Sequence, residues 1–266
     1  MTTPIAIPTA HKKPYTKTGQ AFLDSLTAWL QDTRLVSEAV FRLNSDYQHK
    51  GTITFVNESW PKGKSGYELK EFKIDPVPLG KRMHELLETT WSAQFVFLES
   101  LWEEYLQELV KELRLKDAKI FEPFCEKDFM ANIVREALSD NLTSIDEIKD
   151  EAATRFAAGL TRQPWDEQWK QLQRLEIGLS PENQQLQWYK DLDVYFEVRN
   201  CIIHRKGKVS PLLNKKTDFY KKNGLTDISI WPPQLDYYRH QFIQCLFFIE
   251  EKIEAKFAAK SQKATS

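Results

Sequence analysis

Residues 81–116 read KRMHELLETTWSAQFVFLESLWEEYLQELVKELRLK, and the fold class turns on this stretch. Met83, Leu87, Trp91, Phe95, Leu98, Trp102, Leu106, Leu109 and Leu113 recur every three or four residues, the period of one face of an α-helix. Pro76 and Pro78 punctuate the chain just before it. The other face carries Glu99, Glu103, Glu104, Glu108 and Glu112 and reads as a solvated acidic face; no Asp/His spacing for a metal accompanies it.

The same helical period extends outward in both directions. From Gln20 to about Leu43, Phe22, Leu26, Trp29, Leu30, Val36, Val40 and Phe41 form one amphipathic face. Shorter helices fit 126–139 and 145–158, the second opened by a Ser144/Glu147 capping box with Gly159 as its stop. A further helix fits 164–177, where Trp165 and Trp169 read as core. Ser180-Pro181-Glu182 carries N-cap, first-turn proline and early acid, so a helix is expected from there to Gly207, its C′ glycine. A last helix holds Leu235, Tyr238, Phe242, Leu246, Phe247, Ile249 and Ile253. Only 51–75 departs from this period: GTITFVNESW and YELKEFKI alternate around a turn-rich PKGKSG and predict a β-hairpin.

The expectation is an all-α fold, a helical bundle with a small β-hairpin insertion. A mobile N-terminal arm (1–17) precedes a single helical domain (18–260) with the hairpin at about 51–75 and extra helices at about 120–177; a tail follows at 261–266. Composition agrees: 266 residues with 41% hydrophobic and 28% charged can bury one large core, and nine glycines are too few for a many-turned β-fold or a glycine-rich phosphate loop. Formal charge is −1, so a nucleic-acid surface has to be local. Cys125, Cys201 and Cys245 sit far apart in apolar settings, which fits reduced thiols. With no apolar run for a signal peptide or a membrane span, a cytoplasmic protein is expected, and the sequons at Asn57 and Asn141 read as chance.

Chemistry concentrates in VRNCIIHRKG. Arg199, Asn200 and His204 occupy the last turns of a helix whose other positions, Tyr195, Val198, Ile202 and Ile203, are apolar. At about 100° per residue the three can project toward one cleft. A histidine that moves a proton, an arginine facing charge on phosphorus and an amide that orients the substrate suit phosphodiester cleavage without a metal or other cofactor. The spacing occurs a second time, from Arg42 to His49, but RLNSDYQHKG is read as leaving the helix there. A plainer alternative makes His204 a cation at a helix C-terminus and Arg199 a partner of Glu197 or Asp193. After the motif, Arg205, Lys206, Lys208, Lys215, Lys216, Lys221 and Lys222 stand against Asp218 alone, a local basic loop suited to RNA phosphates, with Phe219 and Tyr220 available for stacking.

The run from Phe196 to Gly207, with Arg199, Asn200 and then His204, resembles the signature of the HEPN superfamily, and WSAQFVFLESLWEEYLQELVKEL resembles its long first core helix. The resemblance covers about 80–115 and 181–250. It implies a helical bundle and a metal-independent endoribonuclease of toxin–antitoxin or phage-defence systems. By carry-over Arg199 and His204 are catalytic, with Asn200 in support; independently of the resemblance, the local charge makes Arg205, Lys206, Lys208, Lys215 and Lys216 the expected RNA-binding residues. It also implies a homodimer with a composite site on the two-fold axis, an antitoxin or defence-system partner, and 2′-OH attack leaving a 2′,3′-cyclic phosphate. An alternative from another class is a catalytically inactive HEPN-like module that binds RNA or protein; a third is a helical scaffold with an accidental motif.

Overall fold

In the computed structural model Lys17–Lys50 forms α1 and Pro76–Lys116 the long α2. Between them Ile53–Phe55 (β1) and Lys70–Phe72 (β2) pair antiparallel, Ile53 opposite Phe72. Ile145–Thr161 is α3, Trp165–Arg174 is α4, and a 3₁₀ turn over Pro181–Gln185 leads into Gln187–Arg205, α5. The one-turn helices Leu213–Lys216 (α6) and Phe219–Lys222 (α7) precede Pro232–Ala264, α8. The structure describes residues 13–50, 53–55, 70–72, 76–117 and 144–264. The fold is all-α, as expected. The residues joining β1 to β2, the expected helix at 126–139, Cys125 and both sequons lie outside the described residues, as does most of the expected N-terminal arm. Among the described residues no helix is long and apolar enough to cross a membrane.

Several element boundaries differ from the sequence reading, each for a local reason. α1 begins at Lys17 because the Thr16 hydroxyl accepts from the Gly19 amide at 2.8 Å, an N-cap. It also continues past Leu43 to Lys50, so the Arg42/His49 pair does lie on a helix. Pro76 and Pro78 open α2 rather than precede it; a first turn has no N–H partners to lose. The Ser144/Glu147 capping box is formed, at 3.0 and 3.1 Å, but α3 runs through Gly159 to Thr161. There the buried Ala157, Leu160 and Thr161 hold the last turn on the core and outweigh the ~1 kcal/mol a helical glycine costs.

The single helix expected from Pro181 is split. The Asn183 side chain accepts from the Ser180 amide at 2.7 Å, closing a short 3₁₀ turn, and the extended Leu186 (ψ 144°) separates it from α5. At the far end Lys206 (φ 52°), not Gly207, takes the left-handed cap position; Gly207 follows at φ 76° and its amide donates to Cys201 O at 3.0 Å.

The core is an aromatic seam between α2, α4, α5 and α8. Phe95 lies 4.5 Å from Tyr195, Trp102 lies 5.6 Å from Phe242, and Trp165 stacks on Phe196 at 5.3 Å and 13°. Each such buried ring contributes about 2 kcal/mol or more through lost water contact. Their polar ends are satisfied: Trp102 Nε1 donates to Gln168 Oε1 at 3.2 Å, and Trp165 Nε1 to the Tyr189 carbonyl at 3.2 Å. Cys201 and Cys245 are buried free thiols. At the start of α1, the buried Glu250 of α8 accepts from the Thr16 amide (2.7 Å), the Thr16 hydroxyl (2.6 Å) and the Tyr105 hydroxyl (3.2 Å). Thr16, at the end of the expected arm, is thus hydrogen-bonded to the core, and Lys17 opens α1.

Candidate functional site

Helix α5 is set by its inner face. Tyr195 and Phe196 are buried, and the Tyr195 hydroxyl donates to the Phe95 carbonyl of α2 at 2.6 Å. One turn further along both helices, Arg199 meets Glu99. The Arg199 Nε faces Glu99 Oε2 as an ion pair; the approach is close but does not have the angle of a hydrogen bond. Arg199 Nη1 donates to Asn200 Oδ1 at 3.1 Å, so the amide that follows the arginine orients its outer edge.

These groups open onto one cleft of about 890 Å³. Arg199, Asn200 and His204 line it from α5, Glu99 and Glu103 from α2, and Thr161, Arg162 and Gln163 from the end of α3 and the turn after it, together with Gln184, Gln185 and Lys216. Two features hold Lys216 there: α6, and an ion pair from its Nζ to Asp193 Oδ1 at 2.5 Å. His204 is exposed on the cleft side of the last turn of α5, and Ile203 beside it is 41% exposed.

Among the carboxyl groups that line the cleft, Glu99 is the one most altered by its surroundings. Burial pushes its carboxyl up from 4.5 to about 7, and the charge of Glu103 pushes the same way; the Arg199 cation opposes both. Burial raises Glu103 too, against Arg199 and Arg162. A buried carboxylate beside one guanidinium and one further acid is poised between charged and neutral forms at physiological pH.

Of the residues picked out from sequence, the fold brings Arg199, Asn200, His204 and Lys216 into the cleft. Arg205, Lys206, Lys208 and Lys215 are exposed and do not line it. The basic loop is less free than its composition implied: Lys216 pairs with Asp193, Lys208 with Asp227 at 2.5 Å and Lys222 with Asp218 at 3.1 Å. Two of those acids lie outside the loop in sequence. Phe219 is exposed, but Tyr220 is buried and not available to stack on a base.

The acidic face of α2 is not uniformly solvated either. Glu99 is buried against Arg199, and Glu112 accepts from the Thr18 amide (3.0 Å) and hydroxyl (2.8 Å) at the α1 N-terminus, which holds its carboxyl below the usual range. Arg199 thus pairs with neither Glu197 nor Asp193. Glu197 is buried and accepts from the Ser210 hydroxyl at 2.5 Å. Sequence reasoning missed Glu99, Glu103 and Arg162 as cleft residues. The one available signal was that Glu99 follows Phe95 by four on the face next to the core. Arg42 of the second Arg/His match pairs with Glu38 on the exposed side of α1, so the two matches differ by their cleft and not by a helical frame.

No protein-family model matches the chain, and no curated protein or solved structure matches it.

Proposed function

We propose that the chain is a metal-independent endoribonuclease of the HEPN type, acting in the cytoplasm as a toxin or anti-phage effector. The observation that carries this reading is the convergence of Arg199, Asn200 and His204 on one cleft large enough for a nucleotide. In the proposed reaction His204 takes the proton of a ribose 2′-OH and the freed oxygen attacks the adjacent phosphorus in line. The bond to the 5′-oxygen breaks, that oxygen leaves with a proton, and a 2′,3′-cyclic phosphate remains. Arg199 faces the charge developing on the non-bridging oxygens, with Asn200 holding its outer edge. Lys216, which lines the same cleft, holds a neighbouring phosphate on this reading.

The second acid/base group is supplied, on this reading, by His204 of a second copy across a two-fold axis. The exposed Ile203 beside His204 gives such a copy an apolar surface to cover. An antitoxin or other defence-system protein is the further partner proposed. One observation favours the alternative, a catalytically inactive module that binds RNA or protein: in the resting chain Arg199 is paired with Glu99 and Lys216 with Asp193.

The test is incubation of wild type and His204→Ala with a mixed RNA pool in EDTA, followed by mapping of product ends. Wild-type cleavage to 2′,3′-cyclic phosphates that the variant lacks is the expected result. RNA binding without cleavage, unchanged in the variant, transfers the reading to the binding module.

A further inference from the structure

The sequence-derived site has no place for Glu99, yet Glu99 is the ion-pair partner of Arg199. It stands one turn beyond Phe95, whose carbonyl is tied to Tyr195, so the α2–α5 contact fixes its backbone. The carboxylate is buried and lines the same cleft as Arg199, Asn200 and His204. A phosphate entering the cleft therefore meets an arginine whose Nε is already engaged by a carboxylate on the cleft wall.

We infer that Glu99 is a positioning residue for Arg199: it holds the guanidinium against the α2 wall until an RNA phosphate takes the guanidinium from it. This rests on the reading of the cleft as an RNA site and adds to it how that site is held ready and how binding is made conditional.

The charges around Glu99 decide the consequence. Arg199 and the Tyr195 phenol face it from α5, and Glu103 stands one turn along on α2. Arg162, from the α3–α4 turn, acts on Glu103, and His204 and Asp193 line the same cleft. Once Arg199 turns to a phosphate, Glu99 is left buried beside Glu103 without its cation. Its stable form is then the neutral acid, so binding takes up a proton. With the carboxyl at about 7 before binding and higher after it, affinity for RNA falls as pH rises above about 7, by up to about tenfold per pH unit.

The measurement is made in full-length His204→Ala, which on the proposed mechanism does not cleave the probe. Binding of a labelled single-stranded oligouridylate is followed by anisotropy from about pH 6 to about pH 8.5, with and without Glu99→Gln. The expected result is a fall of about fivefold between about pH 7 and about pH 8 in H204A, steepening toward about tenfold per unit above that. In H204A/E99Q the profile is flat to within about twofold and binding at the upper end is tighter, because glutamine keeps the side-chain shape without the charge. Parallel profiles in the two proteins overturn the inference while leaving the RNA site standing; no binding by either removes the RNA site and this inference with it.

Calorimetry on H204A alone, in two buffers of different ionisation enthalpy at about pH 8, covers the case in which E99Q fails to fold: uptake of close to one proton is expected, and zero uptake overturns the inference. Uptake that survives E99Q and disappears in E103Q assigns the proton to Glu103 and overturns it as well.

Discussion

The Arg199 guanidinium closes onto the Glu99 carboxylate across the α2–α5 contact, one helical turn beyond the bond from the Tyr195 hydroxyl to the Phe95 carbonyl. The two contacts form successive rungs between the same helices. The first is a neutral hydrogen bond in a closed aromatic seam and serves the fold; the second opens onto the cleft and puts a cation where a phosphate can reach it.

Replacing Arg199 by lysine tests whether the fork, and not only the charge, matters. Lysine keeps a cation near Glu99 but cannot also donate to Asn200 and present a planar edge to a phosphate. RNA cleavage is expected to fall by about a hundredfold in R199K with the melting temperature nearly unchanged. Cleavage within a few-fold of wild type would remove the guanidinium from the proposed mechanism.

Stability should carry the mark of Glu99. Its folded carboxyl, at about 7, lies above the unfolded 4.5, so its contribution is fully present below about 4.5 and is lost as pH rises through about 7. Denaturant unfolding at about pH 5 and about pH 8 should show E99Q losing less stability than wild type over that interval, by at most about 3 kcal/mol and less where water reaches the carboxylate. An equal loss in both proteins contradicts the assignment.

Gly19 is the close-packed point of the α1 N-terminus. A Cβ there falls 2.5 Å from Glu250 Oε1, 2.7 Å from its Cδ and 2.8 Å from Pro14 Cβ. Glu250 cannot swing aside without giving up Thr16 and Tyr105. Gly19→Ala, although alanine favours a helix, should destabilise by about 1–3 kcal/mol, read from thermal or urea unfolding. A rise in stability would show that the helix start can move.

Asp193 restrains the cleft lysine. Asp193→Asn should free Lys216 and strengthen RNA binding several-fold at low salt, with the slope of log affinity against log salt steepening by about one. An unchanged slope means that Lys216 does not reach a phosphate.

How much was legible in the sequence follows from the range of each interaction. The apolar period of 81–116, the Ser144/Glu147 box and the helical placement of Arg199 and His204 depend on neighbours within one or two turns, and the structure bears each of them out. The Gly159 stop and the unbroken helix from Pro181 were misread for a related reason: burial of Leu160 and Thr161, and the Asn183 side chain on Ser180, outweighed local propensity. That Lys208 and Lys216 of the basic loop have acidic partners was not legible, because Asp193 and Asp227 approach it from outside its own stretch.

By itself, then, the sequence determined the all-α class, the helix that carries the motif and the residue types gathered on it, because helical periodicity and capping are set by residues a few positions apart. Tertiary structure alone decided that Glu99 and not Glu197 or Asp193 meets Arg199, that the α3–α4 turn brings Arg162 into the same cleft, and that Tyr220 is buried while Lys216 reaches the cleft. Those outcomes come from packing distant segments around one aromatic seam. The energy of that packing depends on which rings fit together in three dimensions, which no local spacing encodes.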